Sequence, residues 1–315
     1  MTYSLGGLIQ GSDYNNFVGG NGGGANVSGQ LNSVLGVGRG SAGYGQTAVT
    51  NVTAITDTIS ATQWTTLING VDKVRKHQSG GGYANLSAYT AGATINATNN
   101  ISGALTTAYS SRLTAVAQGT TTTGSTFSPV FTAPNDTNAA TFAFSRTATF
   151  ASGDQARYFF NAGGQLNFVI TGVTNTGGTT RGASLATLAG TNFASKKIGA
   201  DDCVARTGTG ATLNVDGTTG TGYYASTTSN VAKTTITGTT ASYLSDTLNL
   251  FVRTNGVQGS NDDDGTVMTI SMVLLSAAQS PAFDDGINIT VNHRVDVIYP
   301  STTFLANTWG SVTIA

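Results

Sequence analysis

Two hydrophobic periods divide this chain. After Ser60, apolar residues return at helical spacing: Trp64, Leu67, Ile68, Val71 and Val74 fall on the i, i+3, i+4, i+7 rhythm of an amphipathic helix. Ser60-Ala61-Thr62-Gln63 just ahead has the spacing of a capping box, in which each side chain satisfies the other residue's backbone amide. From residue 126 onward the period shortens to two. Phe142, Phe144, Ala148 and Phe150 alternate with Ala143, Ser145, Thr147 and Thr149, and Leu166, Phe168 and Ile170 repeat the pattern. Leu248, Leu250 and Val252 form another strand, as do Met268, Ile270, Met272 and Leu274. The clearest runs from Ile287 to Tyr299, with Ile289, Val291, His293, Val295 and Val297 on one face and Asn288, Thr290, Asn292, Arg294 and Asp296 on the other. Short strands at this spacing, joined by turns such as Asp216-Gly217, predict an antiparallel sandwich or jelly-roll-like fold.

The predicted class is therefore α+β, mainly β. A partly helical region, 1–124, serves anchoring and oligomerisation, and an antiparallel β domain covers 125–315. Within the first region, Gly19 to Gly24 is a spacer, Ser28 caps a helix carrying Leu31, Val34 and Leu35 with Gly36 as its stop, and residues 49–59 form a strand. Thr98 to Gly119 reads as a second long helix with Ile101, Leu105, Ala108, Tyr109 and Val116 as a stripe of mostly small residues, a surface suited to another subunit or to the Trp64 helix. Gly182 to Gly190, with Leu185 and Leu188, reads as a helical turn between strands. The densest aromatic cluster, Ala156 to Phe168, reads as a hairpin: Tyr158-Phe159-Phe160, an Asn-Ala-Gly-Gly turn at 161–164, then the strand from Gln165. Neighbours on a strand point opposite ways, so at least one ring of the trio must leave the intramolecular face and offer a subunit contact. On this reading Arg157 and Asn161 are turn and strand-edge residues.

Composition sharpens the β reading. Charged residues make up only 9% of the 315, and the chain has no glutamate; every acid is aspartate, a turn and cap former where glutamate favours helices. The formal net charge of −1 provides no field for nucleic acid and no polybasic run for a membrane surface. The apolar run at Val273-Leu274-Leu275 is far too short to span a bilayer. The start, Met-Thr-Tyr-Ser-Leu, carries neither the positive nor the apolar region of a secretory signal, and a single cysteine, Cys203, excludes an internal disulfide framework. A chain made in a reducing cytosol, with the composition of an extracellular surface protein, fits a virion component.

Candidate chemistry is sparse. Gly38, Gly40 and Gly43 match G-x-G-x-x-G, but a dinucleotide loop needs a strand before it and a helix after it, and here a helix precedes and a loop follows. Lys73, Arg75, Lys76 and His77 crowd a helix end, where cations complement the dipole; anion contact is the alternative. The aspartates cluster at Asp201-Asp202, Asp262-Asp263-Asp264 and Asp284-Asp285, all in predicted turns. Two such carboxylates would serve a glycosidase, and Asp262, Asp263 and Asp264 would make a weak calcium site, though the spaced EF-hand pattern and its terminal glutamate are missing. His293 lies on the apolar face of the last strand as a hydrogen-bonded core or interface residue, and no catalytic triad, zinc cluster or other cofactor motif accompanies it.

Several short stretches carry a resemblance. Asp13-Tyr14-Asn15, Gly43-Tyr44-Gly45-Gln46, Trp64-x-x-Leu67, His77-Gln78, Ala156 to Gly164 and the terminal Trp309-Gly310 resemble virion structural proteins of tailed bacteriophages, notably phages of cyanobacteria and other aquatic bacteria. The resemblance implies a tail, neck or baseplate location, assembly with copies of itself and with other virion proteins, and no catalytic residues. The interface candidates are Tyr158, Phe159, Phe160, Tyr109, Tyr223 and Tyr224. Two alternatives stand beside it: a receptor-binding module gripping host-surface glycan through aromatics such as Tyr83 and Tyr223-Tyr224, and a polysaccharide depolymerase using the aspartate clusters.

Overall fold

The structure, a computed structural model, describes residues 11–20, 27–38, 40–53, 59–83, 101–113, 115, 118–193, 195–200, 222–256, 265–279 and 285–315. The expectations for Asp201-Asp202, Cys203, the Asp216-Gly217 turn, the calcium residues Asp262, Asp263 and Asp264, and Asp284 lie outside the described residues.

Two five-stranded antiparallel sheets form the body. In the first, β1 (Gln118–Thr122), β4 (Gln165–Asn175), β5 (Ser195–Ile198) and β9 (Ile287–Pro300) follow the order β1-β9-β4-β5, and β2 (Val130–Ala133) also pairs with β9. In the second, β3 (Ala140–Thr149), β6 (Val231–Thr237), β7 (Thr247–Thr254), β8 (Val267–Ser276) and β10 (Thr313–Ile314) follow β10-β3-β8-β7-β6. The period-two reading holds in detail: β8 alternates strictly, burying Met268, Ile270, Met272 and Leu274. These side chains, with Leu248, Leu250 and Val252, lie in one apolar cluster with Leu166, Phe168, Ile170, Ile289 and Val291 of the first sheet. Phe144 stacks on Phe168 across the two sheets with centroids 6.2 Å apart. The fold is thus mainly β with helices added, as the alternation predicts.

Among the described residues, six α-helices surround this body: α1 (Gly11–Val18), α2 (Asn32–Leu35), α3 (Ala61–Ser79), α4 (Ile101–Ser110), α5 (Gly153–Asn161) and α6 (Thr180–Thr187). In α3 the Ser60–Gln63 capping box is complete, Gly80 closes the helix at φ 72°, and Trp64, Leu67, Ile68, Val71 and Val74 are all buried. The short α2 starts from Leu31 without a side-chain cap, so Ser28 does not cap it. The described part of 49–59 joins no sheet. Instead, the Val49 and Val52 amides donate to the side chains of Asn32 and Asn15. The helix expected over Thr98 to Gly119 is described as Ile101–Ser110, with Ile101, Leu105 and Ala108 buried, while Gln118 and Gly119 belong to a strand on β9; Val116 of the expected stripe lies outside the described residues. Between α6 and β5, Leu188–Phe193 is a π-helical turn whose Leu188 and Phe193 are fully buried.

The main correction concerns Ala156 to Phe168. It is not a hairpin but helix α5 running into β4. Ser152 caps the helix by accepting from the Gln155 amide at 3.1 Å. On a helix, consecutive residues turn by about 100°, so a buried helix can place three adjacent rings inside. Tyr158, Phe159 and Phe160 are all buried, and none faces outward. Phe150 lies 5.4 Å from Phe159 and 5.7 Å from Phe160, while Tyr223 stacks on Phe160 at 4.4 Å. Gly163, at φ 106°, does supply the left-handed residue that the turn requires.

Candidate functional site

At one end of the sandwich, α5 is the axle of a glycine-rich loop. Residues 36–38 and 40–46 wrap it with Gly38, Gly40, Gly43 and Gly45 at positive φ. A Cβ at Gly45 would come within 2.4 Å of the Tyr158 ring, and one at Gly43 within 2.6 Å of the Gly36 carbonyl. The loop's carbonyls are collected by α5. Arg157 Nη1 donates to Val37 O at 2.6 Å and Ala42 O at 2.9 Å, and Asn161 Nδ2 reaches Gly43 O at 3.1 Å. Asn161 Oδ1 lies 2.5 Å from the Tyr224 hydroxyl, which also sits 2.6 Å from Gly40 O. Arg157 and Asn161 are therefore buried carbonyl clamps, not turn or strand-edge residues. Burial alone would weaken the Arg157 cation, but the Asp154 carboxylate at 2.7 Å outweighs that and raises its pKa. Gly40 and Gly43 of the G-x-G-x-x-G match present their carbonyls to a helix of the same chain, the opposite of a phosphate cradle, which presents amides.

The helical region and the C-terminal segment join the same hub. His77 is fully buried, donating from Nε2 to Ala162 O at 2.7 Å and meeting Tyr44 edge-on at 5.4 Å, so it does not belong to a basic surface with Lys73 and Lys76. Gln78 donates to the Tyr44 hydroxyl at 3.0 Å and Ala108 O at 2.7 Å. Gln46 binds the backbone of Ala306 through both ends of its amide, at 2.8 and 2.9 Å. Trp309 is buried beyond it, and Lys76 pairs with Asp72 at 2.6 Å.

A second buried arginine holds the opposite end. Arg181, at the start of α6, is fully buried. It donates through Nε to Ser276 Oγ at 2.8 Å and through its terminal nitrogens to the carbonyls of Asn135 and Asn138. The Ser276 hydroxyl in turn donates to Asp246 Oδ1 at 3.1 Å, which also accepts the Ala277 amide at 2.9 Å. Burial raises the Asp246 pKa, against the pull of these donors and of Arg181. Tyr243 donates to Asp285 at 2.8 Å, and burial followed by the Asp285 and Asp136 carboxylates pushes its hydroxyl up. Four chain connections are thus fastened by one cation and its carboxylates.

Between the two ends lies His293, fully buried and boxed by Phe144 at 4.2 Å, Phe168 at 5.7 Å and Phe127 at 6.1 Å. A carbonyl only accepts, so Nδ1 carries the hydrogen toward Val291 O at 3.3 Å, and Nε2 faces the box without a partner. Burial is the main cause that lowers its pKa to about 4; the nearby Arg146 works the same way.

Of the residues nominated from the sequence, Phe159, Phe160 and Tyr223 are core, Tyr158 is packed against Arg157 and Gly45, and Tyr224 spends its hydroxyl on the hub. Tyr109 lies half-buried under the Arg112 guanidinium at 4.2 Å. The structure assembles none of these into an exposed aromatic platform. Among the described residues, no group of three His, Cys or Asp side chains could hold a metal, and no helix is long and apolar enough to cross a membrane. An open groove of about 450 Å³ between α3 and residues 302–306 is lined by Asn69, Asp72, Lys73, Lys76 and Phe304. Sequence reading missed the Arg181 network altogether. It also missed α5, although Ser152-x-x-Gln155 repeats the S-x-x-Q spacing that marks α3. No family model, curated protein or solved structure matches the chain.

Proposed function

We propose that this chain is a structural component of a bacteriophage virion, associated with the tail, neck or baseplate and assembled through copies of itself and neighbouring virion proteins. The observation that carries the reading is how its scarce polar chemistry is used. Arg157, Asn161, Arg181, His77, Gln46 and Gln78 all bind main-chain carbonyls of distant segments, which fastens loops and termini to a rigid body. Side chains committed in this way resist motion; they are not poised for a substrate. The outer face of β3 adds an uncharged surface, with Thr141, Ala143 and Ser145 exposed. The resemblance of the short motifs to phage virion proteins points the same way.

The receptor-binding alternative called on Tyr83, Tyr223 and Tyr224; Tyr223 and Tyr224 are committed to the core and the hub, and Tyr83 is half-buried against the core. Mass spectrometry of gradient-purified particles of the phage that encodes the chain tests the proposal. The chain should co-purify with infectious particles in stoichiometric amount. Its presence in infected cells together with its absence from the particles would refute the reading.

A further inference from the structure

Exposed strand edges invite pairing with other chains, and proteins blunt them with short strands, prolines, lysines or bulges. Most outer strands here are blunted in this way. The short β2 lies between Pro129 and Pro134, β5 is four residues long and carries Lys196 and Lys197, β6 is bulged after Ala232, and β1 is bulged after Gln118. β3 is the exception. It is ten residues long, pairs with β8 without a break in register, contains no proline or lysine, and reads A-T-F-A-F-S before its one charge, Arg146.

β10 covers only the end of that edge. It pairs with Ala148 and Thr149, and Thr147 exchanges both backbone bonds with Ala315 at 2.9 and 3.0 Å. Antiparallel bonding alternates along a strand, so the amides and carbonyls of Thr141, Ala143 and Ser145 point to the same side as those of Thr147. Among the described residues no strand pairs with them there. The Ser145 carbonyl accepts Arg146 Nη1 at 3.0 Å and keeps a second lone pair. Beside this edge lies an apolar rim: Phe142 and Phe144 are half-buried, and Phe127, under the Arg146 guanidinium, is 36% exposed.

We propose that the open edge of β3 pairs antiparallel with β3 of a second copy about a two-fold axis through Ala143. This rests on the self-assembly reading above and assigns its interface. The sequence is self-complementary in that register. Ala143 meets Ala143 of the second copy, Thr141 meets Ser145, and Phe142 meets Phe144, which puts aromatic pairs on the closely spaced, non-hydrogen-bonded positions. The one charge of the strand, Arg146, faces Ala140 and not its own copy. The paired stretch, 140–146, stops where Ala315 begins, so β10 is not displaced. Every free amide and carbonyl of Thr141, Ala143 and Ser145 gains a partner, and the two second sheets become one continuous sheet. This is an isologous contact of the kind that closes dimers.

The test uses the full chain with Cys203→Ser as background. Sedimentation and light scattering over a concentration series should show reversible dimerisation. Ala143→Cys should yield a disulfide-linked dimer on mild oxidation, because Cα atoms of a bonded antiparallel pair sit about 5.5 Å apart, within disulfide range. Thr235→Cys, on the far edge strand β6, should not. Ala143→Pro removes the central pair of amides, whose bonds are not made to β8, and should weaken dimerisation about 30-fold. Ala143→Lys places two lysines opposite each other and should also weaken it; this variant decides the matter if the proline variant fails to fold by circular dichroism. Association that survives both variants, or equal cross-linking at Thr235→Cys, overturns this interface while leaving a self-assembling virion part intact. A chain that stays monomeric throughout overturns the dimer, and particle composition then judges the function separately.

Discussion

The sandwich is closed at both ends by a buried arginine, and the two differ in how their charge is balanced. Arg157 sits on α5, clamps the carbonyls of Val37 and Ala42, and is neutralised by Asp154, whose side chain is 66% exposed. Arg181 clamps the carbonyls of Asn135 and Asn138, and Ser276 relays it to Asp246, itself fully buried. One end keeps its counter-charge in water, where it costs little to hold and little to lose. The other keeps both charges inside, where breaking the pair leaves an uncompensated ion in a poor solvent. The same guanidinium-to-carbonyl device therefore carries very different energetic stakes.

The largest expected effect is at the enclosed end. Arg181→Leu should cost about 3–5 kcal/mol in urea unfolding, and an equal loss for Arg157→Leu would break the contrast between the ends. Next comes His293, which lies at neither end and titrates on its own. Its folded pKa, about 4, is below the ordinary value of 6.5, so the fold prefers the neutral ring. The stability this lends is present above pH 6.5 and is lost as pH falls toward 4, amounting to about 3 kcal/mol. His293→Leu should flatten that part of the stability–pH curve. Asp246 has the opposite sign: its raised pKa makes the fold take up a proton more readily in acid, so its contribution falls as pH rises through that pKa. At the hub, Asn161→Ala strips the Gly43 carbonyl and the Tyr224 hydroxyl of a partner and should cost about 1–3 kcal/mol, read by the same denaturation. The smallest change is Asp154→Asn, expected to stay under about 1 kcal/mol because the pair is half in water; a loss matching that of Asn161→Ala would show that the exposed carboxylate matters more than its setting allows.

The same contrast explains what the sequence could tell. Local signals were legible: the Ser60–Gln63 box and the Trp64 stripe define α3, strict alternation defines β8, and alternation over most of their length defines β3 and β9. At α5, three adjacent rings before an Asn-Ala-Gly-Gly turn imitate a hairpin, and only the Ser152–Gln155 cap marks the helix. That error carried the interface assignment with it, because alternation on a strand forces a ring outward and a helix enclosed on several sides does not. The Arg181 network had no local signal at all. Its partners stand 43 to 95 residues away, brought together only by the strand order. The β3 edge sits between these cases: its uncharged alternation was plain, but its open side depended on knowing that β10 covers only one end.

The proposed role is that of a rigid, internally fastened body that assembles with copies of itself in a virion. A cryo-EM map of the intact particle tests it most directly. Symmetry-related copies of the two-sheet body should stand in the tail, neck or baseplate, with β3 strands running antiparallel across a two-fold contact. Particles whose density is fully accounted for by other chains would contradict it.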